Sequence, residues 1–203
     1  MKNLSLICIL IFGFVLSWSG VMAEDGFYVI AVKPAMQNSY AAAIPKTGQT
    51  ISYTSNDDGK LQNGVAWPDP RFTDNGDGTV TDKLTGLIWL KDLTCIGLGE
   101  WLDAFNECDA LKSGDCGLTD GSSEGDWRLP NIRELYSLID LGNYNMALPQ
   151  GHPFIGIQYT SYWSSSTAAH HTLSSWTVFA HNGTVSILAK ANLTRFWPVR
   201  GGN

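Results

Sequence analysis

Several groups of side chains in this chain have types and spacings that chemistry could use. The segment Asp74-Asn75-Gly76-Asp77-Gly78 is acid-rich and raises calcium as a ligand. An EF-hand loop starting at Asp74 would need Asp or Asn at its third position and Glu at its twelfth. The chain has Gly76 and Thr85 there. Asn-Gly and Asp-Gly steps favour positive φ, so a tight turn is the better reading. A second acidic set, Asp115, Asp120, Glu124 and Asp126, could hold calcium with help from carbonyl groups, but its spacing matches no calcium loop. Calcium is therefore possible without a motif behind it, and no other cofactor or metal is expected. His170 and His171 are adjacent, and neighbours on a strand point to opposite faces. They suit a solvated or ligand-contacting loop rather than one shared metal.

Cysteine and tryptophan supply the remaining candidates. Beyond Cys8 the cysteines are Cys95, Cys108 and Cys116. Trp101, Ala104, Phe105, Cys108 and Leu111 form an apolar helical stripe, so Cys108 reads as a small buried hydrophobe. Cys95 and Cys116 bracket that helix, which makes them the preferred disulfide; Cys95–Cys108 with Cys116 free is the alternative. No CxxC or matching His pair supports zinc. No Ser/His/Asp set with a nucleophile motif is visible, and the expectation is a protein that is not an enzyme. All of the eight tryptophans except Trp18 lie beyond the leader. Exposed aromatic rings commonly stack on sugars. Trp89, Trp101, Trp127 and Trp197 fall on apolar faces or in motifs and default to the core. Trp67, Trp163 and Trp176 are less constrained, and Tyr162 alternates with Trp163 along its strand, which leaves one of the two to face out. Tyr162, Trp163 and Trp176 form, with His170 and His171, the expected ligand-binding set.

The elements that must position these groups centre on GDWRLPNIREL, residues 125–135. Pro130 holds its own φ near about −65° and keeps Leu129 extended. Asn131 and Glu134 have capping-box spacing, so a helix starts here. Ile132, Leu135, Leu138 and Ile139 then give one apolar face. Trp127 anchors the segment, and Arg128 either pairs with an acid or points at a ligand. The periodicity predicts one helix over 99–111 and a second over 131–141. Strands are expected at 79–81, 87–90, 159–164, 176–180, 184–188 and 195–200, with turns at 83–86 and 181–183. Residues 45–70 read as an irregular surface wrap, and 164–175 as a loop. This order of elements is α+β with a mostly antiparallel sheet.

The N-terminus has the pattern of a cleaved signal peptide over 1–23. Lys2 is followed by the apolar run Leu4–Leu16, and Val21-Met22-Ala23 supplies a cleavage site. A leader over 24–44 with a short strand at 27–32 then runs into one domain over 45–203. That length is enough for a substantial core. The expected location is secreted, periplasmic or at the cell surface, with no membrane insertion after cleavage. Formal charge is −6, and loss of Lys2 makes it one unit more negative. Such a surface argues against nucleic acid and against polybasic membrane contact. No oligomeric state is indicated.

WRLPNIREL resembles the W-R-L-P-T-x-x-E-L signature of the Lcl C-terminal domain family, named for a bacterial collagen-like adhesin. The segments at 71–92, 116–130, 162–166 and 196–202 resemble its opening hairpin, central loop, following strand and closing strand. With the run-in from Pro45, the likeness spans Pro45 to Gly202. The resemblance also implies a C-type-lectin-like fold. The formylglycine-generating enzyme shares that broader fold, with a similar R-L-P-T-E-A-E-W segment. This chain has Leu135 where that motif has Trp. It also has no cysteine after Cys116 to carry the enzyme's thiol chemistry. The Glu-Pro-Asn and Gln-Pro-Asp calcium motifs of animal lectins are absent as well. The resemblance implies a binding module for glycans, including sulfated polysaccharides, for which Arg128, Arg133, Lys190 and Arg195 could cluster. The alternative is a structural or protein-interaction domain of the bacterial cell envelope without a small-molecule ligand, its partner a protein of the envelope or of a host surface.

Overall fold

A computed structural model describes residues 44–202 and, apart from them, two short antiparallel strands, β1 (Met22–Ala23) and β2 (Gly26–Phe27). The expected signal peptide otherwise lies outside the described residues, as does the 27–32 strand beyond Phe27. From Ile44 onward the chain builds two antiparallel sheets and three helices. The first sheet contains β3 (Phe72–Asp74), β4 (Thr79–Asp82), β5 (Ile88–Leu90) and β9 (Val199–Arg200), in the order β3-β4-β5-β9. The closing strand therefore pairs with the opening hairpin, with Ile88 opposite Arg200 and Trp89 opposite Val199. The second sheet is β6 (Ser161–Thr167), β7 (Ser174–Phe179) and β8 (Thr184–Ala189) in sequence order. Bridges from Arg128 to Val199 and from Tyr162 to Arg195 connect the two halves.

The acid-rich segment at 74–78 is a turn between β3 and β4. Asp74 accepts the Gly76 N–H at 3.0 Å, and Asp77 accepts the Thr79 N–H at 3.0 Å. Gly76 and Gly78 both have positive φ, which glycine adopts without strain. Lys91 neutralises Asp74 at 2.6 Å. The second acidic set is dispersed in the same way. Asp115 accepts from Lys112, Asp126 accepts from Ser123, Asp120 pairs with Arg200, and Glu124 lies near Lys112.

Helix α2 (Trp101–Ala110) starts where Asp103 accepts the Glu100 N–H, and it buries Ala104 and Cys108. Cys95 and Cys116 form the disulfide across its two flanks, with Cα atoms 5.6 Å apart, and Cys108 is a free, buried thiol. Burial pushes that thiol's pKa far up, as expected for an inert core cysteine. In the polar stretch before the hairpin, only α1 (Asp58–Leu61) is helical, capped by Asp57.

Helix α3 (Ile132–Ser137) has the capping box that Asn131 and Glu134 imply. Asn131 Oδ1 accepts the Arg133 and Glu134 N–H groups, and Glu134 Oε2 accepts the Asn131 N–H at 2.8 Å. The helix stops sooner than the expected end at Leu141. The Asp140 N–H donates to Ala147 and the Leu141 N–H to Thr47, so tertiary partners take the donors that a longer helix would use. Arg71 takes the Ser137 carbonyl at 2.6 Å.

Core packing is dominated by rings. Trp197 meets Trp89, Phe154 and Tyr162 at centroid distances of 5.9, 4.8 and 5.6 Å. Trp163 and Trp197 bury their indole N–H groups on the Gly99 and Leu90 carbonyls. Against that apolar mass sits one ion pair that is wholly inside. Arg71 binds Asp82 through two nitrogens, at 2.9 and 2.7 Å, and its guanidinium lies between the Trp67 and Phe72 rings. Asp82 also accepts the Leu84 N–H and the Thr85 hydroxyl, which closes the β4–β5 turn.

Arg71→Met leaves that carboxylate buried without its counter-ion. Unfolding in urea should then show a loss of about 3–5 kcal/mol. A loss below about 1 kcal/mol would mean the pair is not a support of the fold. Glu134→Gln should cost about 1–2 kcal/mol at pH 7, a value discounted because Arg128 is partly exposed. Burial raises the Glu134 pKa, but Arg128 and the Asn131 N–H outweigh it, and the net direction is down. A depressed folded pKa stabilises above the unfolded value of about 4.3, and that stability is lost as pH falls through the folded value. The gap between wild type and Glu134→Gln should therefore close on acidification from pH 7 to pH 3. A gap that stays constant would contradict the assignment.

Candidate binding cleft

Two concavities flank α3. The first, about 610 Å³, lies between α3, the Trp127–Leu129 segment and α2. Arg128 reaches it but is already engaged. Its two terminal nitrogens bind both Glu134 oxygens, at 2.8 and 2.7 Å, and one also donates to the Gly201 carbonyl at 2.8 Å. The same pairing holds the guanidinium pKa above its ordinary value. Arg128 thus answers its own ambiguity by pairing with an acid. It clamps the helix start to the closing strand and shapes the cleft wall, without offering a free fork to a ligand.

The unengaged polar groups come from α2 and β6. Asn106 and Asp109 are three residues apart on the helix, so they share a face. Ser165 stands opposite them, its backbone N–H on the Pro130 carbonyl at 2.8 Å. Among the described residues, the side chains of Asn106, Asp109 and Ser165 have no hydrogen-bond partner. Phe105 adds an apolar wall and is held edge-on by Trp101 at 4.7 Å. The arrangement can accept and donate several hydrogen bonds beside an aromatic ring.

The expected ligand-binding set divides. Tyr162 and Trp163 are 1% and 0% exposed, so neither can stack on a ligand from solvent. The reason is that both faces of β6 are covered: Tyr162 packs on Trp197, and Trp163 donates toward the α2 side. His170 and His171 are exposed at the β6–β7 connection, which is shorter than expected because β6 runs to Thr167 and β7 begins at Ser174. His171 Nδ1 lies 2.9 Å from the Ser174 hydroxyl, and the His170 ring is 6.0 Å from the half-buried Trp176 ring. The structure thus joins His170 with Trp176, keeps His171 beside them, and removes the other two to the core.

The basic residues are also dispersed. Lys190 lies over the Trp101 ring at 3.7 Å and donates to Thr167. Arg195 donates to the Ile96 carbonyl. Arg133 lines the second concavity, about 560 Å³, with Lys46, Trp67 and Tyr136. Asn106 and Asp109 carry no distinguishing signal in the sequence, because polar residues on the outer face of an amphipathic helix look like ordinary solvated surface.

No helix among the described residues is long and apolar enough to cross a membrane. Comparison with curated proteins finds no match. The profile of the Lcl C-terminal domain matches residues 78–200, a narrower span than the Pro45–Gly202 over which motifs resemble it. That profile points to a cell-surface, adhesin-like module. From the opening hairpin to the closing strand, with the WRLPN segment at its centre, this chain belongs to the Lcl C-terminal domain family.

Proposed function

We propose that this protein is a secreted or surface-displayed binding module without catalytic activity, and that its ligands are carbohydrates. The C-type-lectin-like fold is part of that reading. It draws support from the WRLPN helix start and from the closing strand returned to the opening hairpin. Two antiparallel sheets with few helices are compatible with it. The observation that carries the ligand class is the α2–α3 cleft. Planar amide and carboxylate groups at Asn106 and Asp109, a hydroxyl at Ser165 and a ring at Phe105 converge there. Sugars need that combination of hydrogen bonds and apolar contact. Asp109 and the dispersed cations favour a neutral glycan over a sulfated one. Binding is not routed through calcium, because the acidic loops spend their carboxylates on backbone turns and ion pairs.

A glycan array of the domain from Glu24 to Asn203, with and without calcium and at two salt concentrations, tests this. We expect saturable, calcium-independent and salt-tolerant binding. Asn106→Ala with Asp109→Ala should weaken it at least about tenfold, the equivalent of roughly 1.4 kcal/mol. Binding unchanged in that double variant would move the site elsewhere. A clean negative would favour a protein ligand at the exposed β6–β7 connection, where Leu173 is 75% exposed.

A further inference from the structure

The second concavity, about 560 Å³, lies between the wrap, the β4–β5 turn and α3 with the residues that follow it. Its surface is mainly apolar. Ile44, Val65 and Leu141 are 75%, 47% and 42% exposed, and Tyr136 and Ile139 continue the wall. Exposed aliphatic side chains gathered in one concavity are the signature of a binding site. We propose that this groove binds one free, single-chain anionic amphiphile, a fatty acid, with its acyl chain on the apolar wall and its carboxylate at Lys46 and Arg133. The inference goes beyond the glycan reading and uses none of the residues of the α2–α3 cleft.

The polar groups of the groove argue against a sugar or a peptide strand. Thr47 donates its hydroxyl to Asp58, Thr85 to Asp82 and Ser137 to the Glu134 carbonyl. The Trp67 indole N–H is spent on the Lys46 carbonyl. The backbone is spent as well: the Lys46 and Val65 N–H groups donate to the Val65 and Ile44 carbonyls, and the Leu141 N–H donates to the Thr47 carbonyl. A ligand rich in hydroxyls or amides would find few partners along this wall, whereas an acyl chain needs none.

Charge selects the head group. Lys46 and Arg133 line the groove, no Asp or Glu does, and neither cation has a side-chain partner among the described residues. That is a local excess of positive charge in a chain of formal charge −6. Arg133 shares a face of α3 with Tyr136 and Ser137, so the helix sets it beside the wall. Behind the wall, Arg71 donates to the Ser137 carbonyl and lies over Trp67. Its Nη1 is buried with no hydrogen-bond partner among the described residues, which leaves a further cationic donor unspent next to two lining residues. A guanidinium fork matches a carboxylate, and an apolar surface beside it strengthens the pairing. Lys46 and Arg133 alone are too few for a lipid surface, which takes clusters of about four to eight cations. The volume falls within the roughly 300–1,000 Å³ of small-ligand sites.

The test is titration of the ¹⁵N-labelled Glu24–Asn203 domain with dodecanoate, following the indole N–H signals. We expect the Trp67 signal to shift saturably, with a dissociation constant on the order of 10 μM. Acetate has the head without the chain, and dodecyltrimethylammonium has the chain with the opposite charge. Each should bind at least about tenfold more weakly. Lys46→Ala with Arg133→Ala, both outside the core, should weaken dodecanoate at least about tenfold and leave the spectrum folded. Asn106→Ala with Asp109→Ala should leave its binding unchanged, which separates this site from the cleft. No Trp67 shift up to about 1 mM dodecanoate would overturn the proposal and leave the groove to a protein partner. So would affinity that survives the Lys46/Arg133 double variant, equal affinity for dodecyltrimethylammonium, or capture of the protein by phosphatidylglycerol vesicles in place of the free acid.

Discussion

The buried pairing of Arg71 with Asp82 is the constraint on which the rest of the domain leans. Two charges inside an apolar core are tolerated only when their geometry is nearly complete. Here the carboxylate takes two guanidinium nitrogens, a turn N–H and a hydroxyl, while the guanidinium also takes the last carbonyl of α3. The pair thereby joins the β3–β4 edge, the β4–β5 turn and the end of the motif helix. Its ring neighbours, Trp67 and Phe72, extend that junction to the wrap and to the aromatic core. Substituting either partner would disturb elements far apart in sequence.

A second clamp does for the start of α3 what Arg71 does for its end. Arg128 binds Glu134, Glu134 caps Asn131, and Arg128 also reaches the Gly201 carbonyl. The motif helix is thus fixed at both termini by arginines from different parts of the chain. That rigidity matters for function because a binding surface held in place loses less entropy on engagement. The cleft lies along this helix, so it inherits its fixed position. The Cys95–Cys116 disulfide, 21 residues apart in sequence, secures the loops at either end of α2, the other wall of the cleft.

Local signals were legible in the sequence where short-range physics decides the outcome. The Asn131–Glu134 capping box, the Asn-Gly and Asp-Gly turn and the β4–β5 hairpin all follow from neighbouring residues. The disulfide partners also fell on either side of a recognisable helix. What was not legible depends on distant partners. The shortened α3 reflects Ala147 and Thr47 competing for its donors. The burial of both Tyr162 and Trp163 reflects cover on both faces of β6, which alternation along one strand cannot disclose. Strand β3 and the Arg71–Asp82 pair leave no mark in the sequence, because a three-residue strand carries little periodicity and an isolated arginine looks like surface. The cleft residues Asn106 and Asp109 acquire meaning only once α3 and β6 are placed opposite them.

The claim that matters most is that this family member engages glycan through the wall between α2 and α3. A crystal structure of the domain with an oligosaccharide selected by binding tests it most directly. The account predicts sugar hydroxyls within hydrogen-bond distance of Asn106, Asp109 and Ser165, a ring against Phe105, and an Arg128–Glu134 pair unchanged from the free protein. A sugar seated on the His170–Trp176 surface with the cleft empty would contradict it.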